Sequence, residues 1–190
     1  MRYVVIRVLI VPFTISMISD YLEYLRKGIE ESFSRAGVGV ETSVWAEVLH
    51  PPMRCFDFGR AQYYSPCILE WLWNTMAGLT SEYMVLGIGY MDAYTSGLNF
   101  VFGEAVPARG VSVVYTKRLD PVYYGGAPDW NLYFDRMVKE AVHELGHLMG
   151  LGHCPDRRCV MSFSNSIIEV DEKTRYFCPR CSAWLRRSTG

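Results

Sequence analysis

Three of the chain's four histidines fall within eleven consecutive residues, His143-Glu144-Leu145-Gly146-His147-Leu148-Met149-Gly150-Leu151-Gly152-His153. On a helix, His143 and His147 stand one turn apart on the same face, so both imidazoles can reach one ion. Glu144 lies to the side of that face. It is badly placed to share a metal but well placed to hydrogen-bond a water bound to it. Zinc lowers the pKa of such a water to about 7, and a carboxylate beside it can take the proton as the water attacks a carbonyl, then hand it to the leaving amine. A helix that continued past His147 would carry His153 away. Gly150 permits the left-handed backbone that ends a helix and turns the chain, so that His153 arrives as a third ligand. Three protein ligands leave one position open, which is the mark of a catalytic rather than a structural zinc. H-E-x-x-H alone also occurs by accident in inert helices. The added glycine and third histidine reduce that risk.

A second set begins at the next residue. Cys154, Cys159, Cys178 and Cys181 follow C-x4-C and C-x2-C spacing, with eighteen residues between the two pairs. Four thiolates fill a tetrahedral zinc and leave no water to activate, so this site is expected to be structural and to contribute folding free energy directly. His153 and Cys154 can point into different sites from an extended backbone, which links the two ions through one peptide unit. Two disulfides or four free thiols are the alternatives. Cys55 and Cys67 lack metal spacing and read as buried or incidental thiols. His50 precedes two prolines and reads as a loop residue.

The chain has 190 residues, 50% of them hydrophobic and 21% charged, with net charge -1. That fits one globular domain with a real core. No charge block argues for nucleic acid or an anionic membrane surface. The apolar stretch Val8 to Ile18 is too short to span a bilayer and contains Pro12. The start of the chain reads as a first strand rather than a signal peptide, because Arg7 interrupts the apolar run and no small-residue cleavage site follows. A cytoplasmic, reducing location follows from that reading, with thiols or metal ligands expected rather than disulfides.

The elements that must position these residues alternate. Tyr3 to Phe13 is rich in Val and Ile and reads as a buried strand. Ser19 to Ala36 carries Tyr21, Leu22, Leu25, Ile29 and Phe33 at helical spacing, with Asp20 early and Gly37 where a helix ends. Val38 to Leu49 reads as a strand, Arg60 to Met76 as a helix, and Tyr83 to Tyr90, Leu98 to Phe102 and Gly110 to Tyr115 as strands. Asp120 to Pro128 is a turn-rich loop. Asp129 is the expected N-cap of a long helix ending near Gly150. This order predicts an α/β (α+β) sandwich with a twisted, mixed sheet. The expected organisation is a single domain, 1–190, with a sheet-and-helix part over 1–150 and a metal-stapled part over 151–190.

The stretch His143 to Met161, H-E-x-x-H-x-x-G-x-x-H-C-x4-C-x-M, followed by C-x2-C, resembles the archaemetzincins, a branch of the metzincin zinc metallopeptidases. Arg60-Ala61-Gln62-Tyr63, Leu98 to Ala105 and Phe163-Ser164-Asn165-Ser166 are similar too. The resemblance implies a metzincin-like zincin domain whose cleft crosses the active-site helix. It implies two Zn2+ per chain: a catalytic one on His143, His147 and His153, and a structural one on Cys154, Cys159, Cys178 and Cys181. It makes Glu144 the general base and acid, and Met161 the Met-turn residue beneath the histidines, where the residues alone allow an ordinary core methionine. It also implies that Leu98 to Phe102 is the sheet's edge strand, able to pair with an extended peptide; an ordinary covered edge is the alternative. The tyrosine that some metzincins place just after the methionine is absent, since Ser162 and Phe163 follow. Arg175 and Tyr176 are the remaining oxyanion candidates, with zinc itself the main electrophile.

The expected function is therefore zinc-dependent hydrolysis of peptide bonds. The expected chain is a monomer, with peptides as partners and neither nucleic acid nor membrane. Two other readings are a catalytically inactive peptide-binding protein of the same fold, and a nucleic-acid-binding zinc ribbon using Arg180, Arg186 and Arg187. The tail Ser182 to Gly190 is a candidate for folding back on the cleft.

Overall fold

The structure, a computed structural model, describes residues 5–13 and 19–189, with the side chains of residues 19 and 20 left aside. The expected strand start at Tyr3, the leader reading of the first residues and the end of the Val8–Ile18 stretch lie outside the described residues, as does the side chain of the early Asp20. The strands are β1 (Val5–Phe13), β2 (Gly39–Val44), β3 (Phe56–Asp57), β4 (Gln62–Tyr64), β5 (Met84–Gly89), β6 (Ala93–Thr95), β7 (Leu98–Val101), β8 (Gly103–Val106) and β9 (Val111–Tyr115). The helices are α1 (Ser19–Arg35), α2 (Ser65–Met76), α3 (Trp130–Leu148), α4 (Ile167–Glu172) and α5 (Pro179–Thr189).

The main sheet has the order β2-β1-β5-β9-β8. Its first four strands are parallel and β8 runs antiparallel to β9. Parallel central strands are covered on both faces, which is why β1, β5 and β9 read as nearly continuous apolar runs. One face packs on α1 and α3 through Val8, Ile10, Leu25, Ile29, Phe33, Met137, Val138 and Val142. The other packs on α2 through Leu9, Val11, Ile68, Leu72, Val111 and Val113. Cys154, Cys159, Val160, Met161, Val170, Phe177, Cys181 and Leu185 join the α1–α3 core, so the segment after Gly150 is packed into the same apolar layer.

The mixed α/β architecture is as expected, with three differences of detail. A second, small sheet, β3-β4-β6-β7, stands beside the main one. The helix expected from Arg60 begins at Ser65, because Pro66 sits in its first turn and Tyr63 and Tyr64 pair instead with Ala93 and Tyr94. The strand expected over Val38 to Leu49 ends at Val44, apart from an isolated bridge between Phe13 and Leu49.

The edge strand is also displaced from its expected place. Leu98–Val101 closes the small sheet, whereas the edge of the main sheet, beside α3, is Gly103–Val106. Pairing with β6 ends at Val101, and from Phe102, whose carbonyl accepts from the Tyr115 amide, the chain runs along β9. Cys55 and Cys67 differ too: they form a disulfide that ties the segment before β3 to the first turn of α2. Side chains 12 positions apart in sequence met across a fold that sequence spacing could not reveal.

Candidate metal centre and cleft

Helix α3 starts where Asp129 accepts a hydrogen bond from the Leu132 amide, at 3.0 Å. It stops at a Schellman turn. The Gly150 amide donates to the His147 carbonyl at 2.9 Å and the Leu151 amide to the Gly146 carbonyl at 3.0 Å. Gly150 has φ 91°, a left-handed conformation that favours glycine. The chain then reverses and brings His153 to the two helical histidines. Ligand-type nitrogens of His143, His147 and His153 all lie within 4.8 Å of one another.

The tautomers are set by backbone carbonyls. His143 Nδ1 donates to Val160 O at 2.7 Å, and His147 Nδ1 donates to Leu151 O at 2.8 Å. Both Nε2 atoms are therefore bare lone pairs, and they face each other at 3.0 Å. Two converging lone pairs repel unless a cation lies between them, so the donor set fits a divalent metal. Burial, and next the positive charge of Lys173, holds His143 well below the usual imidazole pKa, which keeps it neutral and ready to ligate. Burial lowers His147 and His153 in the same direction.

Glu144 is buried beneath β8. A Cβ added to Gly103 would come within 2.5 Å of Glu144 Oε1, so only glycine at 103 lets the edge strand lie this close to the carboxylate. Burial first, then nearby Glu140 and Glu104, pushes the Glu144 carboxyl well above the ordinary range, while Lys173 works the other way. That direction suits a group that must accept a proton.

Met161 is fully buried, with its sulfur against the space that a Cβ on Gly146 would occupy. Its carbonyl accepts from the Cys154 amide at 2.8 Å, while neighbouring Val160 holds His143. One short turn therefore braces both the helix and the His153–Cys154 step. Beneath it the fully buried Lys173 ammonium lies 2.8 Å from Glu140, an ionic contact outside hydrogen-bond geometry, and donates to Ser162 O at 3.4 Å. Lys173 and Glu140 carried no sequence signal; they are far apart in the chain and belong to no motif.

The histidines line an open cleft of about 490 Å³ with β8, Phe100, Phe163 and Asn165. Phe163 packs tilted against His153, with ring centroids 4.9 Å apart. Neither Arg175 nor Tyr176 reaches the cleft. Tyr176 donates to Glu31 at 2.7 Å, and Arg175 pairs with Asp135 and Tyr24. The tail after Ser182 also stays out: it forms most of α5 and docks on the end of α1, where Arg186 donates to Ala36 O at 2.8 Å.

The sulfurs of Cys154, Cys159, Cys178 and Cys181 likewise lie within 4.8 Å of one another. Cys154 and Cys178 are 3.8 Å apart, and four sulfurs about 2.3 Å from one zinc would be separated by about 3.8 Å. The Cys178 amide donates to Cys159 Sγ at 3.3 Å. Burial pushes the Cys159 thiol up to about 11 and raises Cys181 further, whereas at Cys178 hydrogen bonding, led by the Cys181 amide, outweighs burial and lowers the thiol. Thiols so crowded resist ionising together; a divalent cation at their centre removes that resistance.

Comparison with known proteins completes the picture. The family model described as peptidase family M54 matches residues 62–187. The chain belongs to this family, the archaemetzincins. It is similar to an archaemetzincin of Pyrococcus furiosus, with 39% identity over 90% of this chain and 88% of that protein. It is 47% identical to an archaemetzincin of Methanopyrus kandleri over 72% of this chain and 73% of the relative. Among solved structures, the Methanopyrus kandleri archaemetzincin superposes with a TM-score of 0.76 at 39% identity, covering 96% and 94% of the two chains. A zinc-dependent peptidase from Methanocorpusculum labreanum gives 0.77 at 28% identity, over 95% and 99%. As an archaemetzincin, the chain is a zinc metallopeptidase and so a hydrolase. The metzincin-like fold expected from the motifs agrees with these structures.

Proposed function

We propose that His143, His147 and His153 hold the catalytic zinc, that Glu144 is the general base and acid, and that Cys154, Cys159, Cys178 and Cys181 hold a second, structural zinc, two ions per chain. The observation that carries this reading is the pair of bare Nε2 atoms of His143 and His147, facing each other at 3.0 Å on the floor of an open cleft with Glu144 beside them. When bound there, zinc supplies Lewis-acid polarisation and an acidified water. The chain supplies the rest. Val160 and Leu151 carbonyls orient the imidazoles. Glu144 takes a proton on its carboxylate and returns it to the leaving amine. The outer edge of β8 offers backbone donors and acceptors to an extended peptide laid along it. Gly150 and Met161 support the site, one by turning the chain and the other by packing under Gly146.

Residues 1–190 read as one metzincin-type domain, with parts before and after Gly150 that share an apolar layer. Peptides rather than folded proteins are the proposed substrates of a monomeric chain, and neither nucleic acid nor membrane is a proposed partner. Among the described residues no helix is long and apolar enough to cross a membrane. Four free thiols in one cluster support a reducing, cytoplasmic location, and the Cys55–Cys67 disulfide is the observation against it. The inactive, peptide-binding alternative is not favoured, because the glutamate and all three histidines are present.

The test is cleavage of a mixed peptide library, with zinc supplied, by the wild type and Glu144→Ala. Cleavage should fall by about 100-fold or more in the variant, with zinc content unchanged. Equal cleavage by the two, or none by either, would overturn the reading.

A further inference from the structure

Beside the cleft lies a second groove of about 360 Å³, walled by Gly150 to His153 on one side and α5 on the other. Gly150, Leu151, Gly152 and His153 line both, so cleft and groove meet at the third histidine. Helix α5 contributes Arg180, Trp184 and Arg187, spaced as one stripe along a helix face. Trp184 is the fixed element. Its Cη2 lies 2.9 Å from where a Cβ on Gly150 would stand, so the indole is seated against the turn that ends α3.

The two arginines beside it are set apart by their place: several other arginines also lack a partner among the described residues, but these two share one groove next to the third histidine. Arg118 is paired with Asp92 at 2.6 Å, Arg136 with Asp171 at 2.7 Å and Arg175 with Asp135 at 3.1 Å. Among the described residues, Arg180 and Arg187 make no ion pair or hydrogen bond, and no Asp or Glu lines their groove. The cleft is lined by Glu104, Glu140 and Glu144 and by no Lys or Arg, with Glu140 already paired to the buried Lys173. A peptide crossing from cleft to groove meets arginines only on the groove side.

We propose that this groove binds a carboxylate of the peptide substrate between the Arg180 and Arg187 guanidiniums, over the Trp184 ring, so that the enzyme selects peptides carrying an acidic group to one side of the scissile bond. The inference rests on the reading of the histidine cluster as the catalytic centre. Guanidinium forks match a carboxylate in charge and planar geometry. The carboxylate is either the substrate's C-terminus or an Asp or Glu side chain. The competing role for the arginines is electrostatic balance: a zinc on four thiolates would carry net negative charge, and Cys181 also lines the groove.

The experiment measures kcat and KM for three matched peptide series: neutral with an amidated C-terminus, the same with a free C-terminus, and amidated with one Asp moved through each position. One carboxylate-bearing series should show a KM roughly tenfold below the neutral peptide, an advantage that shrinks as salt is raised. The free-terminus arm and the Asp arm tell the two sources apart. In Arg180→Ala/Arg187→Ala the ratio of acidic to neutral peptide cleavage should fall to about one, and Arg187→Glu should favour a Lys-bearing peptide. Zinc content is measured for each variant. No preference in the wild type, or a preference that survives the double substitution, overturns the proposal. So does loss of one zinc from the variants with no change in preference, which would make the arginines countercharges. Failure of the wild type to cleave even the neutral peptide would overturn the catalytic reading first and this inference with it.

Discussion

The histidine and cysteine clusters are joined by the single peptide bond between His153 and Cys154, yet they are built in opposite ways. Two histidines come from consecutive turns of one long helix, so the secondary structure alone aligns them before any tertiary contact forms. The cysteines come from an irregular segment, a turn and the start of α5, and nothing local holds them together. Exposure divides the clusters as well. His153 is exposed on an open cleft, while Cys154, Cys159 and Cys181 are buried in the α1–α3 core. The difference teaches a dependence. The prediction is that the prealigned pair loses its third member unless the loop-built cluster fixes the chain that follows Gly150.

The largest test of that dependence is Cys181→Ser. A structural zinc contributes on the order of 10 kcal/mol to such a cluster, so the variant should melt far below the wild type, bind fewer zinc ions and lose peptide cleavage as well. Thermal melting together with metal analysis reads the outcome; a variant that melts normally and still cleaves would break the comparison. His147→Ala makes the reverse cut. It should cut peptide cleavage to about 1% of wild type or less while the melting temperature and one tightly held zinc remain. Loss of both ions from His147→Ala would show that dependence runs in both directions. The smallest effect is expected from Gly146→Ala, which places a methyl group where the Met161 sulfur lies. Overpacking of this kind costs about 1–3 kcal/mol, read by denaturant unfolding, and cleavage should fall more than stability alone accounts for.

Much of this was legible beforehand, for identifiable reasons. Helical spacing fixes the geometry of His143 and His147, and a glycine at 150 announces the turn, because both are local rules. The limits of α1, β5, β9 and α3 followed from periodicity and caps in the same way. What failed to show was long-range. Arg60 to Tyr64 looked helical until Ala93 and Tyr94 offered it a strand partner. The edge of the main sheet fell at Gly103–Val106 rather than Leu98 to Phe102, because adjacent short strands of similar composition went to different sheets. Cys55 and Cys67 met only when the small sheet formed beside α2.

The sequence by itself determined which histidines and which cysteines form the two clusters, and the family those motifs belong to. Each is a matter of residue type and short spacing, and short spacing survives folding as local geometry. Tertiary structure alone decided that Gly103 lies over Glu144, that Met161 fills the space beside Gly146, and that Lys173 is buried against Glu140 beneath the site. It also decided that two arginines without a partner among the described residues line a groove with the third histidine. These are contacts between segments distant in the chain, fixed by how the layers pack rather than by any pattern within one segment.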